Sequence, residues 1–321
     1  MMDQNPIITI SGKVTDEIFL IDLYQYNIPR TCSAFILQTS ESTVIMDTGT
    51  NNDVSSVLEF MKNNALFLKK VNYLVPSHYH FDHFGGGSKL WETIKEVNPE
   101  VKILTVEETK KRLQDHSSHV KRAKRTFSGF VGTMEPLPAE AFEIVDPDEP
   151  ILIPGMDGTM RFELISTPGH TTAHVSPTFF KNNKPEFMYL GEAAGSLLHL
   201  TKLVTLSTSM PPDFKFNSYM TSLEKIIDLK PKNTGYGHFG AVKCKVMVMQ
   251  ALRENREFSY FFRDYVKEKF TERAETRYVV EQFMTQELRK RTDFPNLELY
   301  TNMIVAVVYG QLVDLGLRKL K

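Results

Sequence analysis

The sequence predicts a layered α/β fold followed by a helical C-terminal extension, and three observations predict it. Short β-branched or alternating segments recur through the first 240 or so residues, each ending at a turn. Helix-spaced apolar patterns fall between several of them, as in a βαβ alternation. From Lys243 onward the strand habit gives way to apolar residues three and four apart.

Ile7 to Ile10, Ile18 to Leu23 and Ala34 to Gln38 read as strands. Thr43 to Met46 is a short apolar strand that runs into Asp47-Thr48-Gly49. Apolar residues at 54, 57, 58 and 61 predict a helix over Val54 to Asn64. Val71 to Val75 is a further strand ending at Pro76, Lys89 to Val97 a helix, and Val101 to Thr105 a strand. Glu107 to Phe127 reads as helical and basic, and Pro136 to Pro154 as a connecting loop that re-enters a sheet at Ile151 to Ile153. Met160 to Ser166 and Phe187 to Leu190 are strands, each ending at a polar motif. Pro211-Pro212-Asp213 is expected to open a helix from about Phe214 to Leu229. These patterns divide the chain into a body of residues 1–242 and a helical extension of residues 243–321, whose helices offer a surface for a homo-oligomer.

With 321 residues, 41% of them hydrophobic, the chain can bury a sizeable core without disulfides. Its 38 basic and 39 acidic residues nearly cancel, so no global field draws it to nucleic acid or to an anionic membrane. Cys32 and Cys244 are too few for a secreted disulfide scaffold and read as buried or half-buried thiols in a reducing compartment. Met1 to Lys13 lacks the basic and apolar regions of a signal peptide. The longest apolar run, Met303 to Tyr309, falls far short of the roughly 20 residues a membrane span needs. The expectation is a cytoplasmic protein.

Chemistry concentrates in Ser77-His78-Tyr79-His80-Phe81-Asp82-His83-Phe84-Gly85-Gly86-Gly87, directly after a strand. Three of the nine histidines and an aspartate fall within six residues. Alternate residues of an extended backbone share a face, so His78 and His80 can converge while Asp82 and His83 address a second ion. Imidazole suits zinc and iron, and carboxylate broadens the choice.

His-x-His-x-Asp-His after a strand resembles the signature of the metallo-β-lactamase superfamily, and later motifs follow in that family's order. Thr167-Pro168-Gly169-His170-Thr171 resembles its Pro-Gly-His-Thr segment. Gly191-Glu192 stands where the family usually has Gly-Asp, and Gly237-His238-Phe239-Gly240 resembles its final Gly-His-Gly turn. Asp47-Thr48-Gly49 matches its strand-ending Asp-x-Gly. The resemblance covers roughly Ile18 to Gly240. It implies a four-layer αββα sandwich and a glyoxalase II-like metallohydrolase with two divalent metal ions, zinc first, with iron or manganese open. Carried over, His78, His80 and His170 take one metal, Asp82, His83 and His238 the other, and Glu192 bridges. Asp82 also orients the hydroxide, as the catalytic residue. Asp47 is expected to hydrogen-bond a ligand histidine and fix its orientation. His174 is expected to support rather than ligate, and His116, His119 and His199 match no motif.

The function expected is hydrolysis of a small ester, thioester, lactone or phosphodiester. The alternative is a diiron redox enzyme or oxygen-binding sensor on the same fold, kept open by glutamate at 192. The retained His80 and the lack of a Ser/Thr-Gly phosphate loop after Lys243 favour hydrolysis. A nucleic-acid substrate has only the basic stretch in its favour, and a solvated helix face explains that stretch as well. Glu107 to Pro138 is expected to overhang the site, with Lys121, Arg122, Lys124 and Arg125 contacting an anionic group on the substrate and Phe127, Phe130 and Met134 adding apolar surface.

Overall fold

In the strand Ser33–Gln38, Ala34 and Ile36 project to one side and Phe35 and Leu37 to the other, and all four are fully buried. Period-two alternation with both faces apolar belongs to a strand covered on both sides. A computed structural model describing residues 5–293 and 297–320 shows what covers it. Two seven-stranded sheets stack face to face. One runs in the order 7–8, 241–242, 233–235, 184–189, 175–181, 160–166, 150–151. The other runs 12–13, 18–22, 33–38, 43–46, 71–75, 102–105, 142–144.

Between the sheets lies a core that includes Phe35, Leu37, Met46, Phe162, Phe179, Phe187 and Tyr189. Outside one sheet, Ala34, Ile36 and Ile45 meet the helices Val54–Asn63 and Gly87–Lys95 through Val57, Met61, Leu90 and Ile94. Outside the other, Met188 and Val242 meet the helices Phe216–Leu229 and Lys245–Glu272 through Leu223, Ile226, Val248 and Leu252. The layers are therefore αββα. The helices Lys245–Glu272, Thr276–Phe283 and Leu297–Asp314 add a further core around Phe262, Phe283, Val308 and Leu312. Among the described residues no helix is long and apolar enough to cross a membrane.

The longer expected elements are present, the short strands Gly12–Lys13, Asn233–Gly235 and Ala241–Val242 were not expected, and four further differences stand out. The basic segment is two helices, Glu107–Gln114 and Ser117–Phe127, broken at extended Asp115. The Pro136 to Pro154 connection carries two short edge strands, Phe142–Ile144 and Pro150–Ile151, one in each sheet, so it crosses between the layers. The helix after Pro211-Pro212 begins at Phe216, since a turn occupies residues 211–213. The strand Val175–Lys181 was not expected at all, because Pro177 argues against a central strand. Pairing explains it: Pro177 lies opposite Leu164, but the second ladder, to Lys184–Tyr189, begins only at Thr178. Cys32 is buried as expected, whereas Cys244, at the N-terminal end of the long helix, is exposed.

Candidate metal centre

Five strands deliver the donor residues, all from their C-terminal ends. Strands Thr43–Met46 and Val71–Val75 are parallel neighbours, ending before Asp47 and the His78 loop respectively. Strands Lys184–Tyr189 and Asn233–Gly235 are also parallel, ending before Glu192 and His238. Met160–Ser166 runs in the same direction two strands over and ends before His170. All the motifs thus collect at one rim of the sandwich. Two turns there require glycine. A Cβ on Gly169 (φ +140°) would sit 2.3 Å from the Cα of Tyr219. One on Gly191 (φ +52°) would sit 2.7 Å from Nε2 of His174.

All seven predicted residues come together. Nε2 of His170 lies 3.0 Å from Nδ1 of His80 and 2.6 Å from Oε2 of Glu192. That same oxygen is 3.3 Å from Nε2 of His78 and 3.5 Å from Nε2 of His83. Nε2 of His83 is 3.2 Å from Nε2 of His238. Oδ2 of Asp82 stands 3.4 Å from His238 and 3.8 Å from His83. His78, His80, His170 and Glu192 converge as one group able to hold an ion, and Cys32, His83 and His238 converge as a second. Two donors about 2.0–2.1 Å from one tetrahedral zinc stand roughly 3.4 Å apart, which the histidine pairs match.

The outer nitrogens decide what the inner ones can do. Nδ1 of His170 faces the carbonyl of Thr208 at 2.6 Å, and Nδ1 of His238 faces that of Thr31 at 2.8 Å. Carbonyls only accept, so both Nδ1 atoms carry hydrogen. Nδ1 of His83 donates to Oδ2 of Asp47 at 3.1 Å. The Ser77 hydroxyl spends its one hydrogen on Asp47 at 2.8 Å, and so accepts from Nδ1 of His78 at 3.0 Å. In the neutral rings the Nε2 atoms of His78, His83, His170 and His238 are therefore bare lone pairs. They face one another and the Glu192 carboxylate. Nε2 of His78 is buried and has no hydrogen-bond partner. Such an arrangement is repulsive until a cation, metal or proton, enters it.

Asp47 orients this floor, as expected. It accepts from the Ser77 amide at 2.7 Å and from the Tyr189 hydroxyl at 2.6 Å besides Ser77 Oγ and His83. His174 also supports: its Nε2 accepts from the Glu192 amide at 3.1 Å, and its Nδ1 faces Thr167 Oγ1 at 2.9 Å. Its lone pair is committed to a backbone amide.

Charge divides the cluster. Burial, then the neighbouring imidazoles, holds the proton affinities of His78 and His80 well below the ordinary histidine value. Burial opposes charge on His83 too, but Asp82, Asp47 and Glu192 overcome it and raise its affinity well above that value. Burial likewise opposes charge on His238, which Asp82 and Glu192 nevertheless raise. Against the same penalty, His170 and its neighbours hold Glu192 well below the usual carboxylate range.

Motif reading missed three neighbours. Cys32 places Sγ within 4.8 Å of the His83 and His238 donors and donates to the Asp82 carbonyl at 3.4 Å. In the metal-free chain, burial, then Asp82, pushes its thiol well up. Tyr189 was read only as a strand residue. His119 stacks on His80 with 4.8 Å between ring centroids, and its Nε2 accepts from the Phe81 amide at 3.1 Å. Burial first lowers its pKa to about 4, so it is neutral. No local signal marks Cys32 or Tyr189, but His119 was visible as a histidine within the overhanging segment.

A cleft of about 710 Å³ opens above His80, Asp82 and Glu192. Helix Ser117–Phe127 forms one wall, so the segment expected to overhang the site does border it. The expected basic set is corrected: Arg122 and Arg125 line the cleft, while Lys121 and Lys124 are exposed outside it. Helical geometry is the reason, since a one-residue shift rotates a side chain about 100°. Of the apolar trio only Phe127 lines the cleft. Phe130 packs on Tyr26, and Met134 is in the core beneath.

The family described as Metallo-beta-lactamase superfamily matches residues 27–238. The metallo-beta-lactamase fold-containing protein ST1585 of Sulfurisphaera tokodaii is 28% identical over 223 residues, covering 68% of this chain and 77% of that protein. The crystal structure of ST1585, from Sulfolobus tokodaii, superposes with TM-score 0.64 at 22% identity, over 92% of this chain and 98% of that one. The metallo-beta-lactamase family protein TTHA1429 from Thermus thermophilus gives 0.61 at 14% identity, over 95% and 94%. BJP-1, a subclass B3 metallo-beta-lactamase of Bradyrhizobium japonicum, gives 0.53 at 14%, over 81% and 96%.

Proposed function

The chain belongs to the metallo-beta-lactamase superfamily, and from that premise we propose that it is a metal-dependent hydrolase of small acyl or phosphoryl substrates. Residues 1–242 supply the donors and residues 243–321 a wall of the cleft. His78, His80 and His170 hold one divalent ion, and Asp82, His83 and His238 the other. Glu192 reaches both groups, Oε2 toward His170 and Oε1 3.9 Å from His238. Imidazole with carboxylate suits zinc first, with iron or manganese as the other candidates. When bound, the ions supply Lewis acidity and a water acidic enough to ionise near neutral pH. The Asp82 carboxylate, partly open to the cleft, would be the residue to orient such a water. The chain itself then needs no serine or cysteine nucleophile.

One observation carries this reading: Nε2 of His83 and Nε2 of His238 face each other at 3.2 Å while both Nδ1 atoms already donate elsewhere. The test is elemental analysis of protein purified without added metal, with a panel of ester, thioester, lactone and phosphodiester substrates. Two ions per chain are expected, with His80→Ala losing one and Asp82→Ala the other. Full metal content in both variants overturns the ligand assignment. Iron with a visible absorption band and no hydrolysis moves the reading to redox or oxygen chemistry.

A further inference from the structure

The cleft wall is strongly polarised. Among the described residues that line it, the acids are Asp82 and Glu192, and both sit on the floor among the histidines. Four cations line the rest: Arg122 and Arg125 from helix Ser117–Phe127, and Arg318 and Lys319 from the segment after helix Leu297–Asp314. The whole chain has a net charge of −1, so this concentration is local.

Arg122 is the most telling. Its Nη1 donates to Ser118 Oγ at 2.6 Å, but its Nε is buried without a hydrogen-bond partner. That closed-off Nε does not reach the cleft, but the half-exposed guanidinium lines it, and a guanidinium matches the paired oxygens of a carboxylate, sulfate or phosphate. Position adds a distance. His119, Arg122 and Arg125 follow at three-residue spacing on one helix face, which places the arginines about 5 and 9 Å along the helix from His119. His119 in turn stacks on His80. Phe127, Met210, Leu317 and Leu320 supply apolar surface in the same cleft. The far wall is built rather than draped: the Tyr309 hydroxyl donates to the Lys319 carbonyl at 2.6 Å, and the Leu317 amide to the Leu312 carbonyl at 2.9 Å.

We infer that the cleft takes a small amphiphilic anion, its acid group seated on Arg122, its apolar body on Phe127, Met210, Leu317 and Leu320, and its scissile acyl bond over the histidines. The scissile end rests on the hydrolase reading; the anion seat stands on its own geometry. In the reaction water adds to the acyl carbon, the bond to the leaving oxygen or sulfur breaks, and the leaving atom takes the proton.

Two measurements on the metal-loaded protein test this. Calorimetry compares octyl sulfate, whose head is a poor metal ligand, with neutral octyl glucoside. Octyl sulfate is expected to bind one per chain, and Arg122→Gln to weaken it about tenfold. The double variant Lys121→Gln/Lys124→Gln is expected to leave it unchanged, which controls for general loss of positive charge. Hydrolysis compares the p-nitrophenyl half-ester of suberic acid with p-nitrophenyl octanoate. Arg122→Gln should raise KM for the half-ester alone, with kcat retained. Equal binding of the two octyl probes, or equal effects of Arg122→Gln and the double lysine variant, overturns the anion seat. Selective binding of octyl sulfate with neither ester cleaved leaves the anion seat standing and sinks the hydrolase reading instead.

Discussion

The two donor groups on the cleft floor have the same number of side chains and opposite electrostatics. His78, His80 and His170 are three imidazoles whose outer partners are neutral or turned to the cleft, and burial lowers the proton affinities of His78 and His80. Asp82, His83 and His238 include a carboxylate of their own, with Asp47 behind His83, and the imidazole affinities rise. Burial alone therefore does not fix a histidine's behaviour. How many carboxylates share the buried space decides whether a positive charge is repelled or held. Glu192 groups with His78, His80 and His170, yet its carboxylate also stands 3.5 Å from His83 and 3.9 Å from His238, so whether it serves one group or both determines how independent they are.

The largest effect is expected where the groups meet. Glu192→Gln replaces the shared carboxylate by a neutral amide, which should empty both sites in elemental analysis and reduce hydrolysis by about a hundredfold or more. Loss of a single ion would show that Glu192 serves one group only.

Glycine variants should separate the groups next. A Cβ on Gly169 strikes the backbone of Tyr219, behind the turn that carries His170. One on Gly237 would lie 2.6 Å from Cε1 of His83. Gly169→Ala should lose the first ion and Gly237→Ala the second, each with a thermal-unfolding cost of about 1–3 kcal/mol. If both variants lose the same ion, the division into two groups is wrong.

Asp47→Asn should act on the second group alone. It weakens the acceptor for His83 Nδ1, and the affinity for one ion should fall about 10–100-fold in a chelator titration. The first ion is expected to keep wild-type affinity, although Ser77 links Asp47 to His78.

The pH dependence sharpens the comparison further. In the metal-free chain His83 and His238 have raised affinities, so protons compete for them at higher pH than for His78 and His80. Dialysis at descending pH should therefore release the second ion first. The smallest effect belongs to Tyr189→Phe, which removes one of the donors to Asp47. Its cost should be about 1 kcal/mol in stability and less than tenfold in metal affinity.

Local pattern by itself determined most of the longer strands, the helix spacing and the cluster His78, His80, Asp82 and His83. Those features repeat or cluster over a few residues, and a turn after a strand presents the side chains it carries. His170, Glu192 and His238, by contrast, were reached only through the family resemblance. Period-two alternation in Ser33–Gln38 is legible because each face has its own apolar layer. Only the tertiary structure decided the strand Val175–Lys181, whose Pro177 is tolerated because the second ladder starts one residue later. It alone placed Cys32 and Tyr189 beside histidines that are distant in sequence, since a single residue approaching across two sheets leaves no periodic trace. It also chose Arg122 and Arg125 over Lys121 and Lys124. Seven basic residues between 110 and 125 look alike in sequence. Which of them meet the cleft depends on the rotation at which helix Ser117–Phe127 packs, and the packing partners, not the helix's own sequence, set that rotation.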